Sequence, residues 1–176
     1  MRRNIKKYLL VDGYNIINAW DDLKTISKTD LDNSRERLID IIIEYAEFTG
    51  SIAIVVFDAY NVKKSRENIE KRQNVTIVYT KEHQTADSYI ESYINQLSKY
   101  DDVKVATNDY AEQQIILGKG ASRISARELK LDVDKIKEKI KEKNTNGVHK
   151  KIQRNWLEER LDKETLSKLE NIRRNR

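Results

Sequence analysis

The chain reads as an α/β protein: a parallel sheet covered on both faces by helices, followed by a helical C-terminal extension. Three observations predict this. Short unbroken apolar runs rich in Val, Ile and Tyr recur along the first part of the chain. Segments with helical periodicity separate them, and a charged stretch with apolar residues at helix spacing follows. Strands buried on both faces read as continuous apolar runs, and alternation of strands with helices implies right-handed βαβ units.

The strands expected are Tyr8–Val11, Ile52–Phe57, Val75–Tyr79 and Val103–Thr107, with a weaker one at Ala121–Ile124. Leu31, Arg35, Leu38, Ile39, Ile42 and Ala46 recur at helix spacing, with Asp30 or Asp32 as the start signal and Gly50 as the stop. Asn61–Arg72 is polar and reads as a shorter helix. Ile90, Tyr93, Ile94 and Leu97 share one helical face, and Ala111–Leu117 fits another short helix. Val133, Ile136 and Ile140 form an apolar stripe in a run rich in Lys and Glu, and Asn144–Gly147 looks like a break. Beyond it, Trp156, Leu157, Leu161, Leu166, Leu169 and Ile172 suggest one or two helices that pack back. The chain has no proline, so breaks rest on Gly and Asn, and no internal repeat is visible.

Of 176 residues, 38% are hydrophobic and 36% charged, enough apolar side chain for one core under a heavily charged surface. The absence of cysteine excludes a disulfide framework, a thiolate metal site and a Cys nucleophile. Two histidines, His83 and His149, leave little for a His-rich metal site or a Ser-His-Asp triad. The basic N-terminus lacks the apolar region of a signal peptide, and no apolar run approaches the ~20 residues of a membrane helix. A soluble, cytoplasmic protein without a membrane partner is expected. Net charge is +5, unevenly distributed: residues 1–118 hold 16 Lys+Arg and 19 Asp+Glu, whereas residues 119–176 hold 18 and 10. A mildly acidic body with a basic tail suggests an acidic partner, most often nucleic acid; a solvated helical surface is the plainer alternative.

Aspartates fall where the apolar runs end. Asp12 follows the first run and Asp58 the second, Asp109 lies just beyond the fourth, and Asp87 opens the helix after the third. Ligands of open α/β sheets sit beyond the carboxyl ends of the strands, so all four carboxylates are expected at one edge. Two like charges ~4 Å apart repel by about 4 kcal/mol at an effective dielectric of 20. Hard divalent cations remove that penalty and orient water for attack on a phosphodiester, which requires no His or Lys base. Glu91, one turn after Asp87, is placed to add a contact, and Glu112 stands similarly after Asp109. Each residue also has a plain reading: a helix-dipole role for Asp87 worth about 0.3–1 kcal/mol, a turn for Asp12-Gly13, loop polarity for Asp58 and Asp109. Their conjunction favours a metal site. Tyr14 and Tyr110 lie beside the acidic positions, where they could stack on a base. Other chemistries fit less well. A phosphoaspartyl hydrolase needs an Asp where Tyr14 stands, Gly13 is alone where a dinucleotide site needs three glycines, and Gly118-Lys119-Gly120-Ala121-Ser122 lacks P-loop spacing.

Five segments occur in order: Leu10-Val11-Asp12-Gly13-Tyr14-Asn15, Val56-Phe57-Asp58-Ala59, Thr85-Ala86-Asp87-Ser88-Tyr89-Ile90-Glu91, Ala106-Thr107-Asn108-Asp109, and Gly120-Ala121-Ser122-Arg123-Ile124-Ser125-Ala126-Arg127-Glu128. Over roughly residues 8–135 they closely resemble the YacP-like branch of the NYN domain family, within the PIN-like nucleases. The resemblance implies a three-layer α/β/α fold with a central parallel sheet, and a divalent-metal site of Mg²⁺ or Mn²⁺. Asp12, Asp58, Asp87 and Asp109 would be its catalytic and metal-binding positions, supported by Asn15, Glu91 and Asn108. Asn108 departs from the family, which usually has Ser there. Members of this branch are bacterial endoribonucleases that associate with ribosomes and cut messenger RNA, so RNA and the ribosome are the expected partners. The reaction expected is attack of metal-activated water on the phosphodiester, leaving a 5′-phosphate and a 3′-hydroxyl. The rival is a non-catalytic RNA- or ribosome-binding module with the same fold, because fold alone does not establish function.

The expected organisation is a nuclease domain over 1–135 and a basic helical extension over 136–176. In the extension Lys135, Lys137, Lys139, Lys141 and Lys143 occupy every second position, which spreads charge around several helical faces. Lys150, Lys151 and Arg154 form a second basic cluster before Trp156 and are the candidate RNA-binding residues, holding phosphates without reading sequence.

Overall fold

The computed structural model describes residues 5–58, 68–109, 118 and 120–142. The chain divides into two compact units, Met1–Asp134 and Lys135–Arg176; the first carries the sheet. Its strands are β1 (Lys7–Asp12), β2 (Ile52–Phe57), β3 (Asn68–Arg72), β4 (Val75–Tyr79), β5 (Asp102–Ala106) and β6 (Ser122–Ile124). Its helices are α1 (Gly13–Ala19), α2 (Asp21–Ser27), α3 (Leu31–Thr49) and α4 (Ala86–Gln96), and α5, residues 126–142, begins within it. Among the described residues no helix is long and apolar enough to cross a membrane.

The sheet order is β3-β4-β2-β1-β5-β6. All neighbours pair in parallel except β3, which lies antiparallel against β4. The chain first builds outward from β1 to β2 and β4. It then crosses through α4 to the other side of β1 and adds β5 and β6, so the strand order reverses beside β1, where such folds open a ligand crevice.

Alternation along the strands sorts the core into two layers. Leu10, Ile54, Val56, Val78, Val103, Val105 and Ala121 pack with Ala86, Ile90 and Ile94 of α4. Leu9, Val11, Val55 and Phe57, one residue out of phase, point to the opposite face, where α1 and α3 pack on β2. The three-layer α/β/α arrangement follows.

α3 starts and stops as its sequence signals. The Asp30 side chain accepts the Asn33 N–H at 2.9 Å, and Gly50 closes the helix in the left-handed conformation at φ 66°, which a residue with a β-carbon adopts only under strain. The weaker strand read at Ala121–Ile124 is β6, confined to Ser122–Ile124. Two features differ from the sequence reading. Residues 68–72 are the edge strand β3 rather than the end of a helix, and residues 13–27 form two seven-residue helices where none was read. The short helix at Ala111–Leu117, the first part of the one at Asn61–Arg72, and the extension beyond residue 142 lie outside the described residues.

Candidate active site at the carboxyl edge of the sheet

Asp12 ends β1 and caps α1. Its side chain accepts the Asn15 N–H at 3.1 Å, satisfying one of the orphan donors of a helix start. The next residue has to be glycine, because a β-carbon at Gly13 would overlap the Phe57 ring. The Asp-Gly pair is therefore a close-packed junction and not merely a turn.

The parity that places Leu10 and Val56 on the α4 face carries Asp12 to the same face and directs the chain at Asp58 there as well. α4 begins at this edge. Its N-cap is Thr85, whose Oγ1 accepts the Ser88 N–H at 3.2 Å, and Asp87 sits in its exposed first turn. Burial and the carboxylates of Asp87 and Asp58 raise the Asp12 carboxyl from its ordinary 3.8 to about 6, against the lowering effect of the Asn15 and Tyr14 N–H donors. Burial is the largest cause, and the two neighbouring charges work with it. Asp12 thus senses two of the other three predicted aspartates.

Asp109 lies just beyond β5, the strand that adjoins β1 on the other side, and its N–H bonds Thr107 Oγ1 at 3.0 Å. Glu91 is half-buried on α4, one turn further from the edge. Asn15 and Asn108 link the segments. Asn15 Oδ1 accepts the Asn108 N–H at 2.8 Å, and Asn108 Oδ1 accepts the Ala126 N–H at 2.9 Å at the start of α5. The starts of α1 and α5 are thereby tied through the loop that carries Asp109. Asn108 fills this bridging place, for which a shorter Ser would have less reach. Lys150, Lys151 and Arg154 lie outside the described residues.

The opposite face of the same edge holds a group the sequence reading did not assign. Arg35 of α3 is buried. Its Nε donates to the Tyr14 hydroxyl at 2.9 Å, Nη2 donates to the same hydroxyl, and Nη1 pairs with Asp32. Its guanidinium lies 5.4 Å from the Tyr14 ring centroid and 6.0 Å from that of Tyr79. Phe57 meets Tyr14 edge-on at 5.3 Å and stacks on Tyr79 at 5.5 Å. Tyr14 is therefore packed between Arg35 and Phe57, which leaves little freedom to stack on a base. The signal for Arg35 was its place in the apolar period of α3, where a cation needs a buried partner.

The donor set suits a hard divalent cation: side-chain oxygens, one of them on a carboxyl pushed toward neutrality by burial and two like charges. In the turn before α4, Gln84 Oε1 is buried without a hydrogen-bond partner among the described residues. Among those residues, however, no group of three or more His, Cys, Asp and Glu side chains stands close enough to hold a metal ion. The carboxylates approach one another without forming a ready coordination set.

The doubly wound sheet with aspartates at the ends of its central strands has the α/β architecture expected of a PIN-like domain, and comparisons with known proteins support that nuclease-type class. They also narrow it. The family model of the YacP-like NYN domain matches residues 9–174, and the chain belongs to that family. The uncharacterized protein YacP of Bacillus subtilis (strain 168) is 44% identical over 136 residues, covering 75% of this chain and 78% of that one. The crystal structure of Rae1 (YacP) from Bacillus subtilis matches with a TM-score of 0.71 at 37% identity, covering 98% of this chain and 95% of that chain. A crystal structure of a tryptophan-to-leucine mutant of that protein matches with a TM-score of 0.66 at 40% identity, covering 77% and 79%.

Proposed function

We propose that this chain is a divalent-metal-dependent endoribonuclease, with messenger RNA on the ribosome as the substrate its family resemblance suggests. The observation that carries the reading is Asp12: a carboxyl raised to about 6 by burial and by Asp58 and Asp87, at the point where the strand order reverses. Gathering like charges in a half-buried place costs stability, and a cation ligand compensates that cost.

Asp12, Asp58 and Asp87 would hold Mg²⁺ or Mn²⁺, with Asp109 adding charge from the β5 side. When bound, the ion supplies charge stabilisation at the phosphodiester and raises the acidity of a water nucleophile. The chain's own part is positioning. The α1 N-terminus fixes one Asp12 oxygen through the Asn15 N–H, and the Asn15–Asn108 bridge holds the Asp109 segment against β1. Arg35 and the aromatic rings brace the other side of the edge.

The rival, a non-catalytic RNA- or ribosome-binding module, draws support from the lack of a ready three-carboxylate set among the described residues. RNA cleavage assayed with and without chelator, beside calorimetric titration of Mn²⁺, separates the two. The nuclease reading expects products with 5′-phosphate and 3′-hydroxyl ends that vanish with chelator. Cleavage persisting in chelator, or cyclic-phosphate ends, defeats the mechanism. No cleavage, with RNA or ribosomes still bound, favours the module. Cosedimentation with ribosomes tests the proposed setting of the substrate.

A further inference from the structure

β6 pairs with β5 so that Arg123 stands opposite Val105, and Val105 points to the α4 face. Paired residues of parallel strands share a face, so Arg123 lies on the same side of the sheet as Asp12. Its side chain runs toward the carboxyl edge, where Nε donates to the Thr107 carbonyl at 3.1 Å, two residues before Asp109. That bond fixes the plane of the guanidinium and leaves both terminal nitrogens uncommitted among the described residues. Glu128 senses the Arg123 charge, which helps to stabilise its carboxylate. Its Oε2 already accepts from the Ser125 N–H at 2.8 Å and from the Ser125 hydroxyl at 2.6 Å.

Arg127 supplies an independent observation. It is exposed, in the first turn of α5, where the helix dipole disfavours a cation. The adjoining N–H of Ala126 is bonded to Asn108 Oδ1, so this turn abuts the Asp109 loop. Stability alone would place an acid there, as Glu128 one residue later shows by completing the capping box with Ser125. A residue that breaks the local rule beside a site points to a functional demand.

We infer that Arg123 and Arg127 form a phosphate clamp that grips the backbone of single-stranded RNA beside the carboxylate cluster. A planar guanidinium with two free terminal nitrogens matches the two non-bridging oxygens of a phosphodiester. The strand order Asp58, Asp12, Asp109, Arg123 along the edge sets the clamp to one side of the acids. RNA held there would run across the edge with a neighbouring phosphate, not the one cleaved, on the arginines. The inference rests on the nuclease reading above.

The test is binding of a labelled single-stranded RNA oligonucleotide to the full chain carrying Asp12→Asn, followed across a salt series. Adding Arg123→Gln and Arg127→Gln together is expected to weaken binding about tenfold and lower the salt slope by about 1.4, at ~0.7 for each single-strand phosphate contact. Arg123→Lys alone is expected to keep the slope while weakening binding, because lysine retains the charge but not the fork. A lower melting temperature with the slope and affinity unmoved would assign Arg123 to propping the Thr107 carbonyl, and would overturn the clamp. So would unchanged affinity in the folded double variant. No RNA binding by the Asp12→Asn chain itself would overturn the RNA reading beneath it, an outcome distinct from loss of the clamp alone.

Discussion

Within two residues the central strands change character. Leu10, Val11, Val55, Val56 and Phe57 are completely buried, apolar and packed between helices. The chain then reaches Asp12 and Asp58, half-buried carboxylates, and at Asp12 burial together with the charges of Asp87 and Asp58 raises the proton affinity. The strand middles are arranged for stability, and the strand ends carry a local cost. The contrast teaches where to look for function in such a sheet: polar groups that burial penalises persist where a ligand offsets the penalty.

The largest expected effect breaks the stable half of the contrast. Ile54→Ala removes a fully buried side chain from the cluster between the sheet and α4 and should cost about 2–5 kcal/mol, read as a fall in the urea midpoint with an unchanged slope. A smaller effect lies at the edge. Asn15→Ala deletes the acceptor of the Asn108 N–H; it should cost about 1 kcal/mol of stability and, on the proposed nuclease reading in which this bond positions the Asp109 segment, lower cleavage about 10–100-fold. A fall in activity no larger than that of a surface substitution would separate the bridge from the site.

The interior was far more legible in the sequence than the edge. Runs such as Ile52–Phe57 announce themselves because both faces are buried, and α3 carries its own start at Asp30 and stop at Gly50. β3 gave no such signal: four of its five residues are exposed, so no apolar alternation marks it and its charges read as helix surface. α1 and α2 were missed because each spans seven residues and α1 opens on Asp-Gly, which resembles a turn. The aspartates were legible by position, since each follows an apolar run. Their partners were not. The Asn15–Asn108 and Asn108–Ala126 bonds join residues distant in the chain, and Arg35 meets Tyr14 across two helices. Such contacts are made by topology and leave no local pattern.

Ionised Asp12 costs the free protein stability at the place where, in the proposed mechanism, a metal ion offsets that cost. Its folded carboxyl, at about 6, holds a proton over a pH range in which the unfolded one, at 3.8, has released it. Metal-free stability should therefore fall as pH rises from about 4 to about 6, by up to about 3 kcal/mol, and stay low above that window. Asn caps a helix as well as Asp does, so Asp12→Asn keeps the Asn15 N–H bond and removes only the charge. The most direct measurement is the melting temperature of Asp12→Asn against the unmodified chain, in chelator, at neutral pH and near pH 4, alongside RNA cleavage with Mn²⁺. The prediction is a rise of about 3–8 °C at neutral pH, little difference near pH 4, and abolished cleavage. A lower melting temperature at neutral pH, or cleavage that survives the substitution, would contradict it.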